Sequence, residues 1–324
     1  MNEIRWGVIG TGGIARAFAR DLQRVPGQKV TAVGSRTIEK ATAFAAEFDC
    51  RALGSYQALV ESDVDAIYVA TPHPMHAPNT ILALSHGKPV LCEKPFAVNA
   101  RESSAMIAEA KKRDLLLVEA MWSRFLPHYR AIREMIRAGE FGEIISVSAD
   151  HGQNLPLPKY YRLHAPELAG GALLDLGIYP LSFAYFVLGK PQSVVAKGEF
   201  TETGVDSQTS MILRYDNGAH ANLTTTLLVK SPCTATIVGT RGTLFIDGDF
   251  YTPTSMRFKK TTGEIIGIPK NYEGHGLREQ AIEFATLLQH GKKESELMSL
   301  SDTQSIMETM DEIRAQINLF YPFE

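Results

Sequence analysis

Residues 4–22 read IRWGVIGTGGIARAFARDL. The first six are mostly apolar and include β-branched and aromatic side chains, the composition of a short buried strand in a parallel sheet. From Ile14 the texture changes. Ile14, Phe18 and Leu22 recur at helical spacing, with Arg16, Arg20 and Asp21 turned to other faces. Between strand and helix stands Gly10-Thr11-Gly12-Gly13-Ile14-Ala15, a G-x-G-x-x-A pattern. Glycines punctuate turns everywhere, so the pattern alone says little. Set between a strand and a helix near the start of a chain, it is a dinucleotide-binding fingerprint. The first glycine permits the tight turn, the second lets a pyrophosphate approach the backbone, and Ala15 allows close helix–strand packing. The free N–H groups of the helix start then face the phosphates.

The alternation continues. KVTAVGSR, VDAIYVATP, PVLCEKPF and LLLVEAMW read as strands, and TIEKATAFAAEF, HAPNTILALSHG and ARESSAMIAEAKKRD as the helices between them. Strands alternating with helices of this length predict an α/β fold with a doubly wound parallel sheet. Ligands on such sheets bind beyond the carboxyl ends of the strands. Three of those ends carry chemistry: Thr71-Pro72-His73, Glu93-Lys94-Pro95 and Glu119-Ala120-Met121-Trp122. Two adjacent charges at the end of a core strand cost several kcal/mol each to bury unless paired or used. Lys94 is therefore expected beside the nicotinamide rather than on a solvated edge, with Glu93 holding it.

The end of the second strand bears on the cofactor. An NAD-binding chain places Asp or Glu there to bond the ribose 2′-hydroxyl. This chain has Ser35 and Arg36, a hydroxyl and a guanidinium that suit a 2′-phosphate, so NADP is expected over NAD. His73 and His76 lie three apart, but no third ligand stands at a convincing spacing for a metal. One is expected near the nicotinamide ribose or substrate, the other as a cap of the following helix.

Composition sets outer limits. The 324 residues suit two domains, and 44% hydrophobic with 21% charged residues is the profile of a soluble globular chain. A net charge of −3 argues against nucleic acid or an anionic membrane as the main partner. The longest apolar runs look too short to span a bilayer. The first ten residues, MNEIRWGVIG, lack the build of a signal peptide. Cys50, Cys92 and Cys233 show neither a disulfide framework nor zinc spacing, and a reducing cytoplasm is the expected location.

After Phe125 the helix–strand alternation ends. PHYRAIREMIRAGEFG reads as an amphipathic helix closed by glycine and EIISVSADHG as a strand. Beyond Leu188 come SVVAKGEFTET, SQTSMILRYD, AHANLTTTLLV, TATIVGT and GTLFIDG, strand-like runs with the hairpin dipeptide Asn217-Gly218 among their turns. Consecutive strands without helices predict an antiparallel sheet. Two helices, GLREQAIEFATLLQHG and DTQSIMETMDEIRAQINLF, close the chain. Between the halves, GGALLDLGIYPLSFAYFVLG is an apolar helix with Asp175 as its one acid. Asp175 and Tyr179, four apart, share a face. Pro180 is expected to kink or restart the helix.

GVIGTGGIA, VATPHPMH, VLCEKPF and GGALLDLGIYPL, in that order, make the chain resemble the glucose–fructose oxidoreductase and inositol dehydrogenase (Gfo/Idh/MocA) family along nearly its whole length. The resemblance implies an N-terminal Rossmann domain over residues 1–122 and a C-terminal α+β domain over 123–324, built on a large mostly antiparallel sheet. It places Lys94 at the active site. Many members pair the Asp with a His four residues on, and here that position holds Tyr179. The tyrosine, with EAMWSRFLP, GGALLDLGIY and the pair His73 and His76, is similar to the branch of dimeric dihydrodiol dehydrogenases and NADP-dependent D-xylose dehydrogenases. That branch implies Tyr179 as acid/base and a homodimer formed through the open face of the C-terminal sheet.

The combined expectation is reversible oxidation by NADP of a CH–OH group on a sugar, polyol or trans-dihydrodiol, with no nucleic acid, membrane or metal involved. Tyr179 takes the hydroxyl proton. A free phenol titrates near ~10 and is a poor base at neutral pH, and the Lys94 ammonium would lower that value. Asp175 orients the pair, and Trp122 and Phe125 shape an apolar wall. Gly10, Thr11, Gly12, Gly13, Ile14, Ser35, Arg36, Thr71, Pro72, His73, His76, Glu93, Lys94, Trp122 and Arg162 are expected to contact the cofactor. The rival readings are a cofactor-sensing regulator of the same fold without turnover, and a reductase of another carbonyl or an imine.

Overall fold

The computed structural model describes residues 3–324. The chain forms two compact units. The first contains six strands: β1 (Ile4–Ile9), β2 (Gln28–Gly34), β3 (Arg51–Leu53), β4 (Ala66–Val69), β5 (Val90–Glu93) and β6 (Leu117–Ala120). All pair in parallel, in the order β3-β2-β1-β4-β5-β6. Between them run α1 (Gly13–Leu22), α2 (Ile38–Phe48), α3 (Tyr56–Val60), α4 (His76–Ser85) and α5 (Ala100–Arg113). The strand order reverses between β1 and β4, which is where a doubly wound sheet opens its ligand crevice. β4, β5 and β6 are buried along their whole length, as a sheet covered on both faces requires. The stripe of α1 packs inward through Ala15, Phe18, Ala19 and Leu22. Phe18 stacks on Tyr68 of β4 at 3.9 Å and meets Trp6 of β1 edge-on at 5.5 Å.

The second unit holds α6 (Pro127–Arg137), β7 (Ile144–Gly152), α7 (Ile178–Leu188), β8 (Ser193–Phe200), β9 (Asp206–Arg214), β10 (His220–Thr226), β11 (Ala235–Gly239), β12 (Gly242–Ile246), β13 (Met256–Lys260) and β14 (Ile265–Ile268). Its strands form an eight-stranded sheet ordered β14-β13-β12-β11-β7-β10-β9-β8. All neighbours are antiparallel except β7 and β10. From Ser207 onward β9, and β10 up to Thr225, alternate buried and exposed residues, the pattern of a sheet covered on one face. The open face carries Val195 at 61% exposure and Ile212 at 51%. Asn217-Gly218 makes the expected turn between β9 and β10, with Gly218 at φ +84°.

Two further helices, α8 (Arg278–Gln289) and α9 (Leu300–Ile317), follow. Here the domain division differs from a single cut after residue 122. The first unit runs to Phe125 and takes back Gly274–Gln304, and the second comprises Leu126–Glu273 and Ser305–Glu324. The physical reason lies in β1 and β2. Phe284 of α8 packs on Trp6 at 5.0 Å, and Gln28 accepts from Trp6 Nε1 at 2.9 Å and donates to the Ala281 carbonyl at 3.3 Å. Asp21 of α1 accepts the backbone N–H of Gly276 and Arg278, capping α8 from a distant part of the chain.

The apolar stretch Pro166–Leu188 is, by length and composition, enough to cross a bilayer, contrary to the sequence expectation. It is instead mostly buried within the protein, and α7 has apolar residues on every side. Residues 173–177 ahead of α7 form a π-turn, so the chain does not break at Pro180. Widening the turn accommodates the amide donor that proline lacks.

Candidate active site

The fingerprint loop leaves the end of β1 at Gly10, whose φ is +108° and where an added Cβ would lie 2.7 Å from the Ala70 carbonyl oxygen. Only glycine satisfies both conditions. At Gly12 an added Cβ would meet nothing within 4 Å; it would project into open space at the start of α1. Gly10, Thr11 and Gly12 line one end of a cleft of about 440 Å³, and Ser35, Arg36, Lys40 and Tyr56 line another part of it. The cleft thus joins free helix N–H groups to a hydroxyl and two cations, with no carboxylate in its lining. That donor set fits a dinucleotide with a 2′-phosphate. Burial pushes the Tyr56 phenol up, and the neighbouring Arg36 guanidinium opposes that rise. Lys40 escaped the sequence reading. Its signal was its place four residues after Arg36, in the first turn of α2.

Thr71, Pro72 and His73 form the turn after β4. His76 opens α4 as a buried brace, its Nδ1 2.8 Å from the Pro95 carbonyl and its Nε2 2.8 Å from the Thr71 carbonyl. It therefore ties the ends of β4 and β5 together. Asn79 donates to Thr71 Oγ1 at 3.2 Å. Glu93 is buried at the end of β5, with Oε1 accepting from the Tyr68 hydroxyl and Oε2 from the Lys94 backbone N–H at 3.2 Å. The Lys94–Pro95 peptide is cis. Trp122 packs 5.1 Å from His275. Phe125 is fully buried. At the end of β6, Glu119 is buried with Oε2 accepting from Thr303 at 2.8 Å and Oε1 without a partner. Burial pushes its carboxyl up to about 7 despite Thr303 and Arg124, which oppose the shift.

In the second unit Asp175 sits on the π-turn and Tyr179 one turn later in α7. Arg162, expected at the cofactor, donates to Asp175 Oδ1 at 3.0 Å. The Tyr179 ring lies 5.1 Å from the ring of His151, at the end of β7, and 4.9 Å from Tyr251. His151 and Tyr251 stack at 4.0 Å, and Gln153 donates to the Tyr251 hydroxyl at 2.8 Å. Burial, then the nearby Asp249 carboxylate, drive the Tyr251 phenol far above its ordinary range. It stays protonated at any ordinary pH. His151, Gln153 and Tyr251 were not legible as site residues. The local signal of His151 and Gln153 is the polar run Asp150-His151-Gly152-Gln153 where β7 ends, and Tyr251 has none.

A fingerprint loop at a sheet reversal, a lysine at a strand end and an Asp–Tyr pair on a buried helix define a nicotinamide-dependent oxidoreductase. The chain belongs to the GFO/IDH/MocA oxidoreductase family: residues 4–120 match its NAD-binding Rossmann fold and residues 129–245 its C-terminal domain. The chain is 37% identical to trans-1,2-dihydrobenzene-1,2-diol dehydrogenase of Xenopus tropicalis, over 98% of this chain and 99% of that one. With the human protein of the same name it shares 35% identity over 98% of each. Among solved structures, a 3-ketoreductase from Actinomadura kijaniata in complex with NADP and TDP-benzene superposes with a TM-score of 0.86 at 29% identity, covering 98% of both chains. An aldose-aldose oxidoreductase from Caulobacter crescentus, complexed with glycerol, gives 0.88 at 25% identity and the same coverage.

Proposed function

We propose that the protein oxidises a CH–OH group of a small sugar, polyol or trans-dihydrodiol, reversibly and with NADP. The nicotinamide of NADP, when bound, supplies the hydride acceptor. Gly10, Gly12 and the start of α1 hold the pyrophosphate, and Ser35, Arg36 and Lys40 hold the 2′-phosphate. Tyr179 takes the hydroxyl proton of the substrate. Lys94 is the cation that keeps this phenol acidic enough to act near neutral pH. Asp175, tethered by Arg162, orients the substrate hydroxyl. His73 and Trp122 complete the cofactor contacts on the first unit.

The observation that carries this reading is the cleft that unites helix N–H groups with Ser35, Arg36 and Lys40, in a chain that also presents Lys94 and Tyr179. The relatives support it. The 3-ketoreductase from Actinomadura kijaniata has been solved with a lysine replaced and with a tyrosine replaced by phenylalanine. Those two positions are separated by nearly the same length of chain as Lys94 and Tyr179. The dihydrodiol dehydrogenases suggest a trans-dihydrodiol, and the aldose-aldose oxidoreductase suggests a sugar.

We also infer a homodimer that covers the open face of the second sheet, and a cytoplasmic location in keeping with three free cysteines.

The test is a screen of aldoses, inositols and trans-dihydrodiols for NADPH formation, repeated with Lys94→Met and Tyr179→Phe. Each variant is expected to lose on the order of 10²–10⁴-fold in kcat while still binding NADP. The double variant should fall little further, because groups serving one proton transfer are not additive. NADP binding without turnover of any compound would favour the sensing protein, and near-normal turnover by Tyr179→Phe would remove the phenol from its role.

A further inference from the structure

The helix that bears Asp175 and Tyr179 begins at an unusual junction. Gly170 and Gly171 lead into it, and Gly171 has a φ of +114°. An added Cβ on Gly171 would come within 2.1 Å of Asp206 Oδ1. Asp206, the first residue of β9, is fully buried. Its other oxygen accepts the Leu173 backbone N–H at 2.8 Å and the Thr209 hydroxyl at 2.9 Å. A carboxylate from a distant strand thus caps the start of the helix, where negative charge meets free N–H groups.

A second hold comes from beyond α9. The buried Tyr321 donates its hydroxyl hydrogen to the Gly170 carbonyl at 2.7 Å. The Arg314 guanidinium lies 4.5 Å from the centre of the Tyr321 ring and pairs with the Glu324 carboxylate. The third hold is the loop itself: Gly171 donates to the Leu163 carbonyl at 2.8 Å. Leu163 follows Arg162, the partner of Asp175.

We propose that Asp206 and Tyr321 are positioning residues for the reaction, a clamp that fixes Gly170-Gly171 and thereby the placement of Arg162, Asp175 and Tyr179. A displacement of about 1 Å in a reacting group costs on the order of 10²-fold in rate. Hydrogen bonds to both glycines and to Leu173 just beyond them keep such a displacement from occurring. This rests on the role of Tyr179 given above.

The decisive variant is Tyr321→Phe, which keeps the ring on Arg314 and removes one hydrogen bond. Its kcat on the substrate found by the screen should fall about 10–100-fold, while the KM for NADP stays within roughly twofold. The basic limb of its pH–rate profile should move, because the phenol's surroundings change; a merely structural loss lowers the yield of folded enzyme and leaves that limb where it was. Amide exchange across residues 163–179 should quicken, a readout that needs no substrate. Asp206→Asn, which keeps an acceptor oxygen, should recover part of what Asp206→Ala loses. Should Asp206→Ala fail to fold, Tyr321→Phe still decides. An inactive Tyr179→Phe beside a Tyr321→Phe with unchanged kcat, pH profile and exchange would overturn the clamp alone. A fully active Tyr179→Phe would overturn the reading on which it rests.

Discussion

Tyr68 in β4 donates its hydroxyl hydrogen to Glu93 at the end of the neighbouring β5. The bond secures one oxygen of a buried carboxylate, and the Lys94 backbone N–H secures the other. Phe18 stacks on the Tyr68 ring, so the fingerprint helix and the Lys94 turn meet at one phenol. Tyr68→Phe removes this hydrogen bond to a charged group. The expected cost is about 1.5–3 kcal/mol, the range for hydrogen bonds to charged groups. Urea denaturation measures it, with the m-value unchanged. A variant as stable as the wild type would mean that Glu93 does not depend on the phenol.

Cofactor choice is the next measurable consequence. Arg36→Ala should weaken NADP binding by about 1.5–3 kcal/mol, as the loss of a charge-assisted hydrogen bond does. Lys40→Met should act in the same direction and by less, since an ammonium binds phosphate as a point charge rather than a fork. NAD affinity should barely move in either. Calorimetric titration of each variant with both nucleotides tests this, and equal losses for the two would show that neither side chain reads the 2′-phosphate.

How far the sequence carries depends on the range of the interactions involved. Most of the parallel sheet was legible because its longer strands and helices announce themselves within about ten residues by their period, whereas β3 and α3, of three and five residues, are too short to show one and went unread. Asp175 and Tyr179 were legible for the same reason, being four apart on one helix. His151 and Tyr251 were not, because a strand end and a loop a hundred residues apart stack only once β7 and β11 have paired. The return of Gly274–Gln304 to the first unit was equally hidden. An amphipathic helix shows which face it buries but not which partner it chooses, and the choice rests on Trp6, Gln28 and Asp21.

The open face of the eight-stranded sheet gives a third prediction. Val195 and Ile212 are register partners on β8 and β9, and both stand exposed. In a two-fold dimer through this face they are covered by the partner chain. Ile212→Lys puts an ammonium there without touching the core. It should yield a folded monomer by sedimentation at micromolar concentration, where the wild type is expected to run as a dimer. A monomeric wild type would refute the assembly.

Glu119 supplies the pH dependence. In the folded protein its carboxyl titrates at about 7, against an ordinary value of 4.5, with burial the main cause. Between those two values the native state holds a proton that the unfolded chain has released. Stability from this group is therefore complete below pH 4.5 and is lost as pH rises toward 7, by up to about 3 kcal/mol. Glu119→Gln cannot ionise, and its amide oxygen can still accept from Thr303. The variant should gain on the wild type as pH rises from 5 to 8, with the difference levelling off above 8. Asp206, raised to about 6 by burial, titrates in the same window. It is present in both proteins and cancels in the comparison. Urea denaturation of the two proteins at pH 5 and pH 8 measures the gap, and parallel pH curves would mean that Glu119 is ionised throughout.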